Sequence, residues 1–295
     1  MHLRSTPCLL LAALATGCYS GRHDGPLGED DSEGSNSAES GSSGGDDAPT
    51  PSGFECDPSL VPDELPLRRL TKVQYGNTVR DLVRWALPQE ADVVNEDLVS
   101  FVAAVPDDAR EAPAGIHHGG FSRLDQSVHQ EHIDATYDVS KAAGDALTAS
   151  PTRIAIVVGD CAVDADGGND AACVDAFIDR FGRRAHRRPL TAEEHAFYRG
   201  VFEADGMTQG MEPAAFADVI AVMMASPQLL YAIEHGEASV DDRPDTFVLA
   251  PYELAARLSY HFWQTMPDEE LLAAAESGAL ATEEGYTEQV DRLFA

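Results

Sequence analysis

The chain has 295 residues and a formal net charge of −31. A surface this acidic repels phosphate backbones, so a general nucleic-acid partner is excluded. It also keeps a protein soluble at a crowded surface.

The N-terminus opens with Arg4 and an apolar run over residues 8–15. That run is far shorter than the ~20 residues a membrane-spanning helix needs, and it suits a cleaved export signal. Ala15-Thr16-Gly17-Cys18 resembles a bacterial lipobox, with Ala15 where leucine is usual. The expectation is a lipoprotein signal over residues 1–17 and covalent lipid on Cys18, with acyl chains each adding ~0.8 kcal/mol per buried methylene. Plain secretion with cleavage after Ala15 also fits the small-residue rule. Tyr19 in place of aspartate favours the outer membrane. The membrane, reached through the lipid anchor, and other envelope proteins are the expected partners.

Residues 18–64 carry twelve acidic groups against the single Arg22, in a background of glycine and serine. Such a segment has too little to bury to offset its ordering entropy and reads as a disordered tether. Of the five cysteines, Cys8 leaves with the signal and Cys18 takes the lipid. Cys161 and Cys173 flank a short Asp/Gly loop and are expected to bridge, which leaves Cys56 odd.

Beyond the tether the pattern is helix after helix, an all-α reading with three successive regions: residues 65–150, an Arg-rich region over 160–237, and the start of a third over 247–295 that is expected to be cut short. Thr71 and Gln74 form a capping box ahead of Tyr75, Val79, Leu82 and Val83. Pro88 ends that helix, and 106–121 reads as loop. A helix starting at Ser127 has Val128, His132, Ala135, Val139, Ala142 and Ala146 along its inner stripe. Residues 153–158 (Arg-Ile-Ala-Ile-Val-Val) read as the one strand. Asp170 is placed to cap a helix buried through Cys173, Phe177 and Phe181 and stopped by Pro189. Thr191 and Glu194 form a second capping box, before Phe197, Val201 and Phe202 as core. Pro213, Ser226-Pro227 and Pro251 open further helices. Gly236 suits a helix C-cap. Met207, Met211, Met223 and Met224 read as core filler, and Tyr260, His261 and Trp263 as core or interface groups.

Three blocks resemble domains of unknown function from a planctomycete-type family of large exported proteins. Residues 67–82 (Leu-Arg-Arg-Leu-Thr, then Tyr75, Asn77, Thr78 and Arg80-Asp81-Leu82) resemble DUF1587. Residues 181–191, Phe-Gly-Arg-Arg-Ala-His-Arg-Arg-Pro-Leu-Thr, resemble DUF1595. Residues 254–263 with 266–272 are similar to the opening of DUF1592. The resemblance implies further domains, one carrying a c-type haem motif. This sequence has no Cys-x-x-Cys-His, so no haem or other cofactor is assigned. Residues 116–121 depart from the Gly-Phe-Asp-Asn pattern expected of the first domain, and the resemblance supplies no catalytic residues.

Candidate sites each have a plainer reading. Arg180, Arg183, Arg184, Arg187 and Arg188 could form an anchor for carboxylates, sulfated glycans or a partner domain, because guanidinium pairs bidentately with planar anions. Alternatively they bind the protein's own acidic groups and cap a helix end. His129 and His132, near His117 and His118, are weak metal candidates that match no known metal-helix signature. Asp164, Asp166, Asn169, Asp170 and Asp175 suggest a calcium loop but lack the required glycine position. No nucleophile elbow is present. The sequence therefore reads as a non-catalytic envelope lipoprotein module. The alternatives are the N-terminal part of an exported redox protein whose haem domain is absent here, or a hydrolase of envelope or extracellular polymer.

Overall fold

The computed structural model describes residues 67–108, 110–111, 123–124, 127–206, 211–240 and 243–294. The signal, the tether, Cys18, Cys56, His117, His118 and Met207 lie outside the described residues. What is described falls in one unit, Leu65–Ala295, and is mostly helical.

Eleven helices follow in order among the described residues: α1 (Lys72–Ala86), α2 (Ala91–Ala104), α3 (Gln130–Leu147), α4 (Pro151–Val157), α5 (Asp170–His186), α6 (Ala192–Gly206), α7 (Pro213–Met224), α8 (Pro227–Leu230), α9 (Pro251–Phe262), α10 (Glu269–Glu276) and α11 (Glu283–Phe294). Three antiparallel two-stranded pairings accompany them: β1 (Arg68–Arg69) with β4 (Tyr231–Ala232), β2 (Arg110–Glu111) with β3 (Arg123–Leu124), and β5 (Ala238–Val240) with β6 (Arg243–Val248).

Local chemistry sets the boundaries. Thr71 Oγ1 accepts from the Gln74 N–H at 3.2 Å, while Gln74 Oε1 accepts from the Thr71 N–H at 3.1 Å, the reciprocal cap expected of α1. Thr191 and Glu194 repeat it at α6. Apolar residues three and four apart then bury one side of each helix. Phe177 and Phe181 of α5 are fully buried; Phe177 meets Phe216 of α7 edge-on at 5.4 Å between centroids, and Phe181 meets Trp85 of α1 at 6.0 Å. One core runs continuously from α1 through α8 and takes in Tyr260 and Met266. A smaller cluster of Ala255, Leu258, Leu271, Ala275, Leu280 and Leu293 holds α9, α10 and α11 together.

Several expectations are corrected. Residues 153–158 are not a strand. Pro151 to Val157 form α4, because the Ser150 hydroxyl caps the Arg153 N–H at 3.2 Å and Pro151 occupies the first turn. The branched residues Ile154 and Val157 are buried at i, i+3 on one face. The third helix begins at Gln130 rather than Ser127, and Val128 is exposed. Asn169, not Asp170, precedes α5 as its cap residue. In α6 Tyr198 is buried and Phe197 is exposed, while Val201 and Phe202 pack against the core as expected. Gly236 caps no helix. It turns the chain at φ 70° ahead of β5, where a Cβ would collide with Phe247. Both its N–H and that of His235 donate to Glu253 at the start of α9, at 3.0 and 2.7 Å.

Candidate functional site

The C-terminal half of α5 carries the arginine cluster, and the structure sends its members in different directions. Arg180 donates to the carbonyls of Val157 and Val158, closing the end of α4, and lies 5.8 Å from the Trp85 ring. Arg183 pairs with Glu269 at 3.2 Å and Glu276 at 2.9 Å on α10. Arg184 is buried; it donates to the Pro267 carbonyl at 2.5 Å and stands 3.7 Å from Glu269, with burial pulling its pKa down. Arg187 adopts φ 60°, past the end of the helix, so its side chain leaves the α5 face. It donates to the carbonyls of Leu229 (3.2 Å), Gln228 and Tyr231 (2.7 Å) and to the Tyr260 hydroxyl (3.1 Å). Arg188 grips Glu194 through two bonds of 2.8 and 2.7 Å. Of the two readings of this cluster, the contacts are those of the internal one: every guanidinium has a partner on its own chain. Arg180, Arg184 and Arg187 share no common ligand-facing side.

A buried polar chain lies next to these arginines. The imidazole of His186, fully buried, meets the Tyr198 hydroxyl at 2.8 Å, and its Nδ1 stands 3.6 Å from Glu194. Burial lowers the His186 pKa to about 4 and raises that of Tyr198 to about 12. The Arg188 hydrogen bonds chiefly hold Glu194 at about 2. At neutral pH the carboxylate is charged, and the imidazole and phenol are not. The Ser226 hydroxyl donates to the Met223 carbonyl at 2.7 Å and caps the Leu229 N–H at 3.4 Å.

Over this chain opens a groove of about 550 Å³, lined by Tyr137 of α3, Glu193, Glu194, Phe197 and Tyr198 of α6, Val222 and Ala225 at the end of α7, and Pro227 and Gln228 of α8. Sequence reasoning missed it. Phe197, which the sequence reads as core, is instead exposed at this groove.

The remaining candidates are placed as follows. His129 and His132 lie 5.9 Å apart between ring centroids; His132 is buried, and its Nδ1 accepts from the His129 N–H at 3.4 Å. Among the described residues no group of three or more His, Cys, Asp or Glu is arranged to hold a metal ion. Cys161 and Cys173 form a disulfide with Cα atoms 5.9 Å apart. In the loop they close, Asp164 accepts from the Asp166 N–H at 2.8 Å and from the Asn169 amide at 3.0 Å, so its oxygens organise the loop itself. Tyr260 is a buried junction, His261 stacks edge-on with Phe262 at 4.8 Å, and Trp263 donates to the Leu293 carbonyl at 3.0 Å.

Comparison with known proteins places two of the three resembling blocks. Residues 173–234 match the family described as a protein of unknown function, DUF1595, and residues 249–295 match the one described as DUF1592. The α5–α8 arginine site thus falls in the first match and Tyr260 in the second. A homoserine kinase of Methylobacillus flagellatus is 28% identical over 43% of this chain. The chain spans 43% of the kinase's own length, and a likeness of that extent carries no activity across. No solved structure matches the chain.

Proposed function

We propose that this protein is an exported, lipid-anchored, non-catalytic module of the bacterial cell envelope, tethered to the outer membrane through Cys18. The observation that carries the reading is the Cys161–Cys173 disulfide. Such bonds persist in oxidising compartments and are rare in the reducing cytosol. It joins the signal-like residues 8–17 ahead of Cys18 in pointing outside the cytoplasm.

The polar groups favour a structural role over a chemical one. His186 is sealed from solvent and uncharged, Ser226 is engaged by backbone groups and by the Tyr198 hydroxyl, and the arginines are occupied by the chain itself. Hydrolysis through a serine nucleophile would require a nucleophile–base pair open to substrate. In the native host, Cys18→Ser is expected to move the protein out of the membrane fraction and to abolish incorporation of labelled palmitate. Unchanged membrane association, or intact leader in the cytosol, overturns the proposal.

A further inference from the structure

The groove over α6, α7 and α8 combines features that the structural role leaves unused. Tyr137 and Phe197, which line it, expose 56% and 59% of their surface. Much of its lining is apolar, from Ala221, Val222, Ala225 and Pro227, with Tyr198 and Ser226 adding hydroxyl groups. At its mouth Glu193 makes no hydrogen bond or ion pair with any described residue. The cations nearby are spent. Arg188 is bidentate on Glu194, and Lys141, one turn beyond Tyr137 on α3, is bonded to Asp145 at 2.6 Å. Gln228 directs its amide N–H₂ toward Glu194 at 3.4 Å, which leaves its carbonyl oxygen as an acceptor.

We propose that this groove is a binding site for a small organic cation with an apolar body, an aryl- or alkylammonium compound. Its volume of about 550 Å³ suits a small ligand, and apolar walls with few polar groups are the usual make-up of such sites. Tyr137 and Phe197 bring exposed aromatic surface to the groove, Phe197 also resting edge-on against Tyr198 at 5.3 Å between centroids, and an ammonium group over such a ring gains an attraction that strengthens as water is displaced. The carboxylate of Glu193, without a hydrogen bond or ion pair among the described residues, adds a Coulomb attraction, and the net charge of −31 concentrates cations near the surface and repels anions. A neutral ligand would gain only the apolar contact.

The test is calorimetric titration of the full-length chain with 3-phenylpropyltrimethylammonium, set against 3-phenylpropanol and 3-phenylpropanoate. The ammonium compound is expected to bind one to one, roughly tenfold more tightly than either analogue. Phe197→Ala and Glu193→Gln are each expected to weaken it about three- to fivefold, the second also flattening its salt dependence. Both side chains are exposed, so the thermal midpoint of each variant should match that of the parent. Absence of saturation below about 10 mM, equal binding of the alcohol, or unaltered affinity in both variants overturns the assignment. Lipid anchoring plays no part in it, so Cys18→Ser binds as the parent does, and failure of either proposal leaves the other standing.

Discussion

Arg187 lies across the ring of Tyr260, its guanidinium carbon 5.4 Å from the centroid, and donates to that phenol at 3.1 Å. The same hydroxyl meets Thr78 of α1 at 2.8 Å. One buried oxygen therefore joins α1, the end of α5 and α9, elements separated by up to 182 residues in sequence. The other guanidinium bonds of Arg187 take up three carbonyls around α8.

Arg187→Lys is expected to lower unfolding free energy by about 2–4 kcal/mol, read from urea denaturation followed by circular dichroism. The charge survives, but a single ammonium cannot span four acceptors held in a planar fork. Buried carbonyls are then left without donors. A loss below about 0.5 kcal/mol would mean that water replaces the fork at little cost.

Acid should weaken the fold in two overlapping steps. Unfolded, His186 takes up a proton as pH falls through its ordinary 6.5; folded, burial holds it neutral down to about 4. The unfolded state binds more protons in that window, so stability falls as pH drops from 6.5 to 4. Glu194 follows. Its charged-state stabilisation is complete above 4.5 and is lost as pH falls toward its folded value of about 2. Urea midpoints at pH 7, 5.5 and 4 should decline steadily. His186→Gln should flatten the portion above 4.5, where Glu194 does not titrate, by about 1–3 kcal/mol over the window.

How much of this could be read from sequence depends on how far each interaction reaches. The capping boxes at Thr71 and Thr191 were legible because donor and acceptor sit three residues apart. The Cys161–Cys173 bridge was legible for a similar reason. The destinations of Arg184 and Arg187 were not, since they are backbone carbonyls 41–83 residues away, and a carbonyl leaves no residue-type signature. Residues 153–158 misled because a short run of branched residues suits strand and helix equally; the Ser150-Pro151 cap decides. Phe197 and Tyr198 are adjacent aromatics on one helix, and only the packing of α6 on α7 selects which is buried. The groove draws on α3, α6, α7 and α8, so no single stretch announces it.

Replacing both Cys161 and Cys173 with serine should cost about 2–3 kcal/mol, because the bridge closes a short loop and limits the unfolded ensemble. Dithiothreitol should lower the thermal midpoint of the parent by the same amount and leave the double variant unmoved. Equal midpoints for parent and variant under oxidising conditions would show that the bridge adds no stability; two free thiols in the protein isolated from its host would remove the observation on which export rests.

A close contact between α3 and α7 offers a sharper comparison between two glycines. Gly144 of α3 faces α7, where a Cβ would run into the carbonyl oxygen of Ala217. A carbonyl in a helix backbone cannot swing aside, so relief requires moving α7, which carries the fully buried Phe216, Ile220 and Met223. Gly200 of α6 has open space around the same position. Alanine favours a helix over glycine by about 1 kcal/mol at either site. At Gly200 nothing opposes that gain, and Gly200→Ala should stabilise by about 0.5–1 kcal/mol. At Gly144 an overpacking cost of about 1–3 kcal/mol sets in against it, and Gly144→Ala should be net destabilising. Denaturant midpoints that shift in opposite directions are the expected result; a stabilised Gly144→Ala would show that α3 and α7 can separate without loss of core packing.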